Sequence, residues 1–142
     1  MTIKQLSMIL ENKRGEMAKV TKLLAEKGID LRAVSLSAAN EFGVLRIISS
    51  EPEKAFSILS ESGMMVQRNE VVAACVSDKP GEFAKAAKLI AEGGVNIEYL
   101  YSLANVIDGE AVIVMKFDQP NDGVSVLRKN GFRIIDAKEL GG

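Results

Sequence analysis

The chain contains one segment twice, and this repeat constrains its fold more than any other feature. The sequence NKRGEMAKVTKLLAEKG, residues 12–28, returns as DKPGEFAKAAKLIAEGG, residues 78–94, with 10 of the 17 positions identical. The spacing of 66 residues is about half of the 142-residue chain. Such a repeat indicates two copies of one structural unit, rather than a long array. We expect two domains, residues 1–69 and 70–142, with a ligand or a second chain bound at the junction between the copies.

Each copy has the pattern of a strand, a helix, two strands, a helix and a fourth strand. In the first copy Leu6, Met8 and Leu10 alternate onto one face of a strand, and residues 15–27 have an apolar stripe at helical spacing. Pro52 lies where the second helix would begin. After the third strand the copies are 68 residues apart, and we place the two inserted residues within residues 117–122. The last strand is expected over residues 132–138.

This order predicts a ferredoxin-like βαββαβ unit, an antiparallel four-stranded sheet with both helices on one face. The fold class is therefore α+β, with two tandem units. In the second copy the first strand is apolar on both faces, because Val71, Ala73 and Cys75 alternate with other apolar residues. A strand of this kind is normally buried on both sides. We therefore expect another sheet, most simply from a second chain, to cover the open face, which predicts a homodimer.

The composition excludes several classes of function. The net charge is −1 and no basic block occurs, which argues against a nucleic-acid partner. The apolar runs are too short for a membrane span, and no signal peptide is indicated, so we expect a cytoplasmic protein. The chain has no histidine and a single cysteine, Cys75. No catalytic motif, disulfide or metal cage is therefore indicated, and we expect a non-enzymatic protein without metal or cofactor.

The strand-to-helix turn of each copy is the candidate ligand site. Gly15 and Gly81 permit positive φ and a close approach of the backbone to a ligand. The first turn of the following helix presents unpaired N–H groups, which attract a carboxylate. Asn12 or Asp78 is a candidate to meet an α-ammonium group, so that a zwitterionic amino acid matches the turn. Asp78 is alternatively a helix N-cap, with Glu82 favoured by the helix dipole, and the two interpretations are compatible.

The sequence DKPGEF, residues 78–83, followed by a helix that ends in EGGVNI, residues 92–97, resembles the ACT domain, a regulatory amino-acid-binding module. The first copy departs from this motif, since it has Asn12, Arg14 and the sequence GIDL at the matching positions. The resemblance covers nearly the whole chain and implies a stand-alone pair of ACT domains. Such a pair would bind a free amino acid as its effector and regulate, in trans, an enzyme of amino-acid or α-keto-acid metabolism.

The resemblance also implies the residues that contact the ligand, with the start of the second strand of each copy reaching across to the neighbouring unit. In the first copy they are Asn12, Arg14, Gly15, Glu16, Met17, Asp30 and Leu31. In the second copy they are Asp78, Lys79, Pro80, Gly81, Glu82, Phe83, Asn96 and Ile97. Because the second turn fits the motif better, we expect it to contribute more to binding.

Two alternatives stay open. The chain is a pure interaction subunit if its ligand turns are vestigial, which the departures at Asn12 and Arg14 would fit. It is an acylphosphatase-type enzyme if Arg14 cradles a phosphate, although the second copy has Pro80 at that position and no phosphate-cradling glycine pattern is present.

Overall fold

The computed structural model describes residues 1–141, apart from the side chains of residues 104–106 and 141; residue 142, the end of the second expected domain, lies outside the described residues. Cα packing divides the chain into two compact units, which we call the first unit (Lys4–Asn69) and the second unit (Glu70–Leu140, with Met1–Ile3).

The elements alternate as the repeat predicts. The first copy contains β1 (Ile3–Glu11), α1 (Glu16–Glu26), β2 (Leu31–Ala39), β3 (Phe42–Ser49) and α2 (Pro52–Glu61). The second copy contains α3 (Glu82–Glu92), β5 (Ile97–Ile107), β6 (Glu110–Phe117), α4 (Pro120–Lys129), β7 (Ile134–Ile135) and α5 (Ala137–Gly141). A single strand, β4 (Val66–Ser77), ends the first copy and begins the second.

In the first unit the strand order is β2-β3-β1-β4, and β3 pairs antiparallel with both β1 and β2. The core lies on one face of this sheet, where β1 and β3 pack against both helices. Its buried residues include Leu6, Met8, Val20, Leu24, Leu45, Ile47, Ala55 and Leu59. The predicted α+β fold class and the ferredoxin-like plan are confirmed.

The second unit repeats this plan, with the strand order β7-β4-β6-β5. The pairing of β5 with β6 shows where the two extra residues lie. Ser102 pairs with Ile113 and Val106 with Ala111, whereas in the first unit Leu36 and Ala38 pair with Leu45 and Gly43. The insertion is therefore a bulge within β5, and its predicted position within residues 117–122 is wrong. A bulge leaves the flanking alternation of side chains nearly intact, so periodicity does not locate it.

The end of the chain also differs from the prediction. Instead of a strand over residues 132–138, β7 has two residues and α5 follows from Ala137. The Asp136 carboxylate accepts a hydrogen bond from the Glu139 N–H (2.8 Å), while the Glu139 carboxylate accepts one from the Asp136 N–H (3.2 Å). This reciprocal pair is a capping box, and it begins the helix where the apolar pattern alone suggests a strand.

The open face of the second sheet is buried within a single chain. Val71, Ala73 and Cys75 are each at most 1% exposed, and so are Val112 and Val114 on the same face. Burial of this face therefore does not require the second chain that we took as its simplest cover, because an apolar pattern indicates burial without indicating what buries it. Within residues 1–141, none of the helices combines the length and the hydropathy that a membrane span requires.

Candidate functional site

The two strand-to-helix turns have almost the same backbone conformation. Gly15 precedes α1 with φ 89° and ψ −9°, and Gly81 precedes α3 with φ 87° and ψ −14°. Each glycine carbonyl accepts the first helical hydrogen bond, from Lys19 N–H (3.1 Å) and Lys85 N–H (3.0 Å). These left-handed angles favour glycine, which has no Cβ to clash with the following carbonyl. Both turns therefore aim the first helical amides in the same way.

The N-termini of α1 and α3 lack a side-chain cap within the described residues. Gly15 and Gly81 occupy the N-cap positions. The interpretation of Asp78 as an N-cap is therefore wrong. Asp78 is exposed, and within the described part of the chain its carboxylate makes no hydrogen bond or ion pair. The first amides of both helices keep the partial positive charge that favours an anion.

Asn12 has a structural contact that Asp78 lacks. Its backbone N–H donates to the Glu41 carbonyl (2.7 Å), and its side-chain Nδ2 donates to the Asn40 carbonyl (2.8 Å). Asn40 lies at the tip of the β2–β3 hairpin with φ 61°. Asn12 therefore ties the first turn to this hairpin through its amide, and its Oδ1 is the atom with which it can accept a hydrogen bond from a ligand.

A cavity of about 140 Å³ lies beneath the first turn, entirely within the first unit. Its polar edge comes from the turn itself, and its floor comes from the sheet and from α1. The lining residues on the turn are Glu11, Asn12, Lys13, Gly15 and Glu16; those on the floor and on α1 are Leu10, Met17, Ala18, Leu36, Ala38 and Gly43. The structure thus brings four of the predicted residues, Asn12, Gly15, Glu16 and Met17, to one cavity.

The charges at the edge of the cavity are already paired with one another. Lys13 Nζ lies 3.3 Å from Glu11 and 3.8 Å from Glu16, and Lys19 Nζ lies 3.2 Å from Glu16. The Glu16 side chain is 19% exposed. Because the lysine side chains of these pairs are 59% and 74% exposed, the pairs stabilise the fold only weakly and can rearrange around a charged ligand at small cost.

Within its own unit, the start of the second strand lies far from the turn. Leu31 pairs with Ser49 at one end of β3, whereas Glu11, just before the turn, pairs with Phe42 at the other end. The backbone of Asp30 is bonded to Ser50, since Ser50 N–H donates to the Asp30 carbonyl (2.9 Å). Asp30 and Leu31 therefore do not meet the turn of the same copy.

The second copy has the same separation. Ile97 pairs with Phe117, whereas Ser77 pairs with Glu110. Asp118 bonds the Asn96 backbone, accepting from its N–H at 2.9 Å and donating to its carbonyl at 3.1 Å. The contact of these residues with a ligand across a neighbouring unit stays a prediction.

The remaining predicted residues are on the surface. Arg14 is exposed and does not line the cavity, and Lys79 and Pro80 of the second turn are also exposed. Glu82 is half-buried, while Phe83 is 41% exposed.

The turn pattern missed Leu36, Ala38 and Gly43, which reach the cavity from β2 and β3. A signal was present, because two residues, Asn40 and Glu41, separate the paired strands, so the hairpin register places Ala38 opposite Gly43.

The chain belongs to the ACT domain family: the family model of the ACT domain pair matches residues 1–142. This match confirms the family resemblance seen in the sequence. An ACT domain pair is a regulatory fold. None of the curated protein sequences is significantly similar to the chain.

Solved structures share the whole fold. Protein BT0572 from Bacteroides thetaiotaomicron is 35% identical, with a TM-score of 0.90 over 99% of this chain and 96% of that one. The ligand-free regulatory subunit of aspartate kinase from Thermus thermophilus is 16% identical, with a TM-score of 0.67 over 90% of this chain and 92% of that one. The corresponding subunit from Thermus flavus is 18% identical, with a TM-score of 0.61 over 89% and 90%. At these lower identities the likeness concerns the fold.

Proposed function

We propose that this ACT domain pair is a non-catalytic regulatory protein that binds a free amino acid at its strand-to-helix turns and signals the bound state to a partner enzyme. The observation that carries the proposal is the cavity beneath Gly15, since it combines free helix amides, paired charges and an apolar floor. Family membership supports the regulatory role.

The chemistry of the first turn matches both charges of a zwitterion. The α-carboxylate is favoured at the start of α1, where the N–H groups of Met17 and Ala18 precede that of Lys19, which donates the first helical hydrogen bond. The α-ammonium group is favoured beside the carboxylates of Glu11 and Glu16, which also line the cavity. A molecule with only one of these charges would satisfy half of the site.

The second turn is included in the proposal because it has the same backbone conformation as the first and an exposed carboxylate at Asp78.

A partner that responds to the ligand must bind the liganded and the free protein with different affinities, since only a differential interaction shifts an equilibrium. We propose an enzyme of amino-acid or α-keto-acid metabolism as this partner, acting in trans. Assembly into a homodimer stays a prediction.

Thermal unfolding in the presence of each of the common amino acids tests the proposal. A ligand at 100 times its dissociation constant stabilises the folded state by about 2.7 kcal/mol. At about 2–4 °C per kcal/mol for a chain of this size, the midpoint should rise by roughly 5–10 °C. We expect one amino acid, or a few related ones, to produce this shift.

The control uses two derivatives of each active amino acid, the N-acetyl form, which lacks the ammonium charge, and the amide, which lacks the carboxylate. Both derivatives should lose most of the shift, because each leaves one half of the site unsatisfied. A flat response across the whole panel would reject the amino-acid site and favour the interaction subunit. An equal response to the derivatives would show that the zwitterion is not what the turn recognises.

The acylphosphatase alternative has little support in the structure. Arg14, the arginine that would cradle a phosphate, lies outside the described lining of the cavity. Burial raises the pKa of the Cys75 thiol, so this side chain does not supply a reactive thiolate. Turnover of a phosphate ester by the pure protein would nevertheless revive this alternative.

A further inference from the structure

The cavity beneath the first turn changes from charged to apolar with depth. Its outer edge carries the paired charges of Glu11, Lys13 and Glu16. Its floor is a row of three residues in register across the sheet, in which Gly43 of β3 pairs with Leu10 on one side and with Ala38 on the other. Such a gradient fits a ligand with a charged head and an apolar tail.

The space in this row exists because two of its residues are small. Gly43 has no side chain, and a Cβ added there would lie 3.1 Å from the Ala38 Cβ and 3.2 Å from the Ser37 carbonyl oxygen. Leu36 and Met17 complete the apolar walls. The cavity is therefore a feature of residue size, and a larger side chain at position 38 would fill it.

We propose that the first turn selects amino acids with an uncharged aliphatic side chain of three or four carbon atoms, such as valine, leucine and isoleucine. This inference rests on the proposed function and adds the class of ligand to it. The volume of about 140 Å³ is close to that of an apolar cavity, about 150 Å³, that accommodates benzene. It is smaller than the pockets of several hundred Å³ that hold drug-sized ligands.

The lining disfavours the other classes of amino acid. A charged side chain would lose its hydration against Leu10, Leu36 and Ala38, whose apolar side chains offer it no hydrogen bond or opposite charge. Glycine and alanine would leave the floor unfilled, and each methylene that is not buried lowers the affinity by about fourfold.

Isothermal titration of the full chain with a graded series tests this selectivity. The series is glycine, alanine, 2-aminobutyrate, norvaline and leucine, with aspartate and lysine as charged members. We expect the affinity to rise with each added methylene, so that leucine binds about 50-fold more tightly than alanine. Aspartate and lysine should bind more weakly than alanine.

A variant that fills the cavity localises the effect. Ala38→Leu should lower the affinity for leucine at least tenfold while changing the affinity for alanine much less. Ala39→Leu is the matched control, because Ala39 is the next residue of the same strand, is also exposed, and points to the opposite face of the sheet. It should bind leucine as the unmodified protein does. Circular dichroism checks that both variants are folded.

A second variant keeps the test decisive if Ala38→Leu does not fold. Leu36→Ala removes a side chain that is 47% exposed, so the fold should tolerate it, and it enlarges the cavity. We expect the preference to shift from leucine towards phenylalanine, and an unchanged ranking would overturn the proposed selectivity.

The series also separates the two levels of the proposal. Binding of no amino acid at all would reject the proposed function. Binding that is tightest for aspartate or lysine, or equal for glycine and leucine, would keep the amino-acid site and overturn the aliphatic selectivity.

Discussion

The two strand-to-helix turns reach the same geometry with different residues. The angles φ and ψ of Gly15 and Gly81 agree within 5°, although Asn12 and Arg14 in one turn replace Asp78 and Pro80 in the other. The shared glycine therefore fixes the bend, and the residues before it determine only what surrounds the bend. The family motif reports the direction of the helix amides, but it does not report whether a cavity lies beneath them.

What lies beneath the turns is set by the strands. In the first unit the row consists of Leu10, Gly43 and Ala38. The matching pair of the second unit is Val76 and Ala111. Ala111 has a methyl group where Gly43 has none, which reduces the space beneath the second turn. We therefore expect the first turn, although it departs from the motif, to provide the deeper ligand site, which is the reverse of the order that the motif alone suggests.

A second difference between the units lies in their cores. The first unit has Ser49 at the end of β3 and Ala55 in α2, whereas the matching positions of the second unit are Phe117 and Gly123. Ser49 and Phe117 are 68 residues apart, and so are Ala55 and Gly123. In the second unit the strand has the large residue, Phe117, and the helix has glycine. In the first unit the strand has the small residue, Ser49, and the helix has alanine. The two copies therefore divide side-chain volume between strand and helix in different ways.

The largest expected effect comes from adding a methyl group to the helix of the second unit while the large side chain of Phe117 stays on the strand. In Gly123→Ala, the new Cβ would lie 2.2 Å from Cδ2 of the Phe117 ring, which is fully buried. Overpacking costs about 1–3 kcal/mol, and the higher helix propensity of alanine offsets about 1 kcal/mol of it. We expect a net loss of up to about 2 kcal/mol in the free energy of unfolding, measured by urea denaturation.

The matched control in the first unit is Ala55→Gly. It leaves a methyl-sized void and lowers helix propensity, so it should cost about 1–2 kcal/mol for a different reason. The double variant Gly123→Ala with Phe117→Leu should recover part of the loss, because the smaller side chain leaves room for the new methyl group. Equal costs for Gly123→Ala alone and for the double variant would contradict the volume exchange.

The order of the elements follows from the sequence because apolar periodicity is local. Pro52 and Pro120 mark the first residues of α2 and α4, since the fixed φ of proline suits the start of a helix. The bulge between Ser102 and Val106 is different, because it is defined only by the partner strand. The cavity has the same origin: Leu10, Ala38 and Gly43 come together through the pairing of three strands, and no local pattern joins them. The ligand site is therefore harder to predict than the fold.

The next prediction concerns the residue that differs most between the turns. Asn12→Ala removes the amide that donates to the Asn40 carbonyl, and the loss of one such hydrogen bond costs about 1 kcal/mol. Asp78→Ala should change the free energy of unfolding by less than about 0.5 kcal/mol, because the exposed carboxylate has no partner among the described residues. Urea denaturation of both variants measures the difference.

Conservative variants separate the donor from the shape of the side chain. Asn12→Asp matches the family motif better but lacks the donor, so it should lose as much stability as Asn12→Ala. Asp78→Asn should be neutral. A loss at Asp78 as large as that at Asn12 would indicate that the second turn also depends on its side chain for its fold.

The smallest expected effect is a dependence on pH that arises from a contact of the first unit with no counterpart at the matching positions of the second. Glu53 of α2 accepts hydrogen bonds from Arg68 (2.8 Å) and from Lys4 (3.1 Å), and Arg68 also lies 3.6 Å above the centre of the Phe56 ring. The hydrogen bonds from Arg68, and then from Lys4, lower the pKa of Glu53 from 4.5 to about 2. The positions 68 residues further on are Asn121 and Asp136, which cannot form such a pair.

Because the folded state holds the pKa of Glu53 below its ordinary value, the pair stabilises the fold above pH 4.5, and this contribution is lost as the pH falls from 4.5 to about 2. Glu53→Gln removes it at all pH values. The difference in the free energy of unfolding between the unmodified protein and this variant should therefore be constant above pH 4.5 and shrink towards zero at pH 2.

The side chains are exposed, so the difference is small and salt should reduce it further. Glu51→Gln is the control, since its 4.0 Å ion pair with Lys54 is the longer one. If this difference instead grew on acidification, the contacts of Glu53 with Arg68 and Lys4 would not lower its pKa in the folded state.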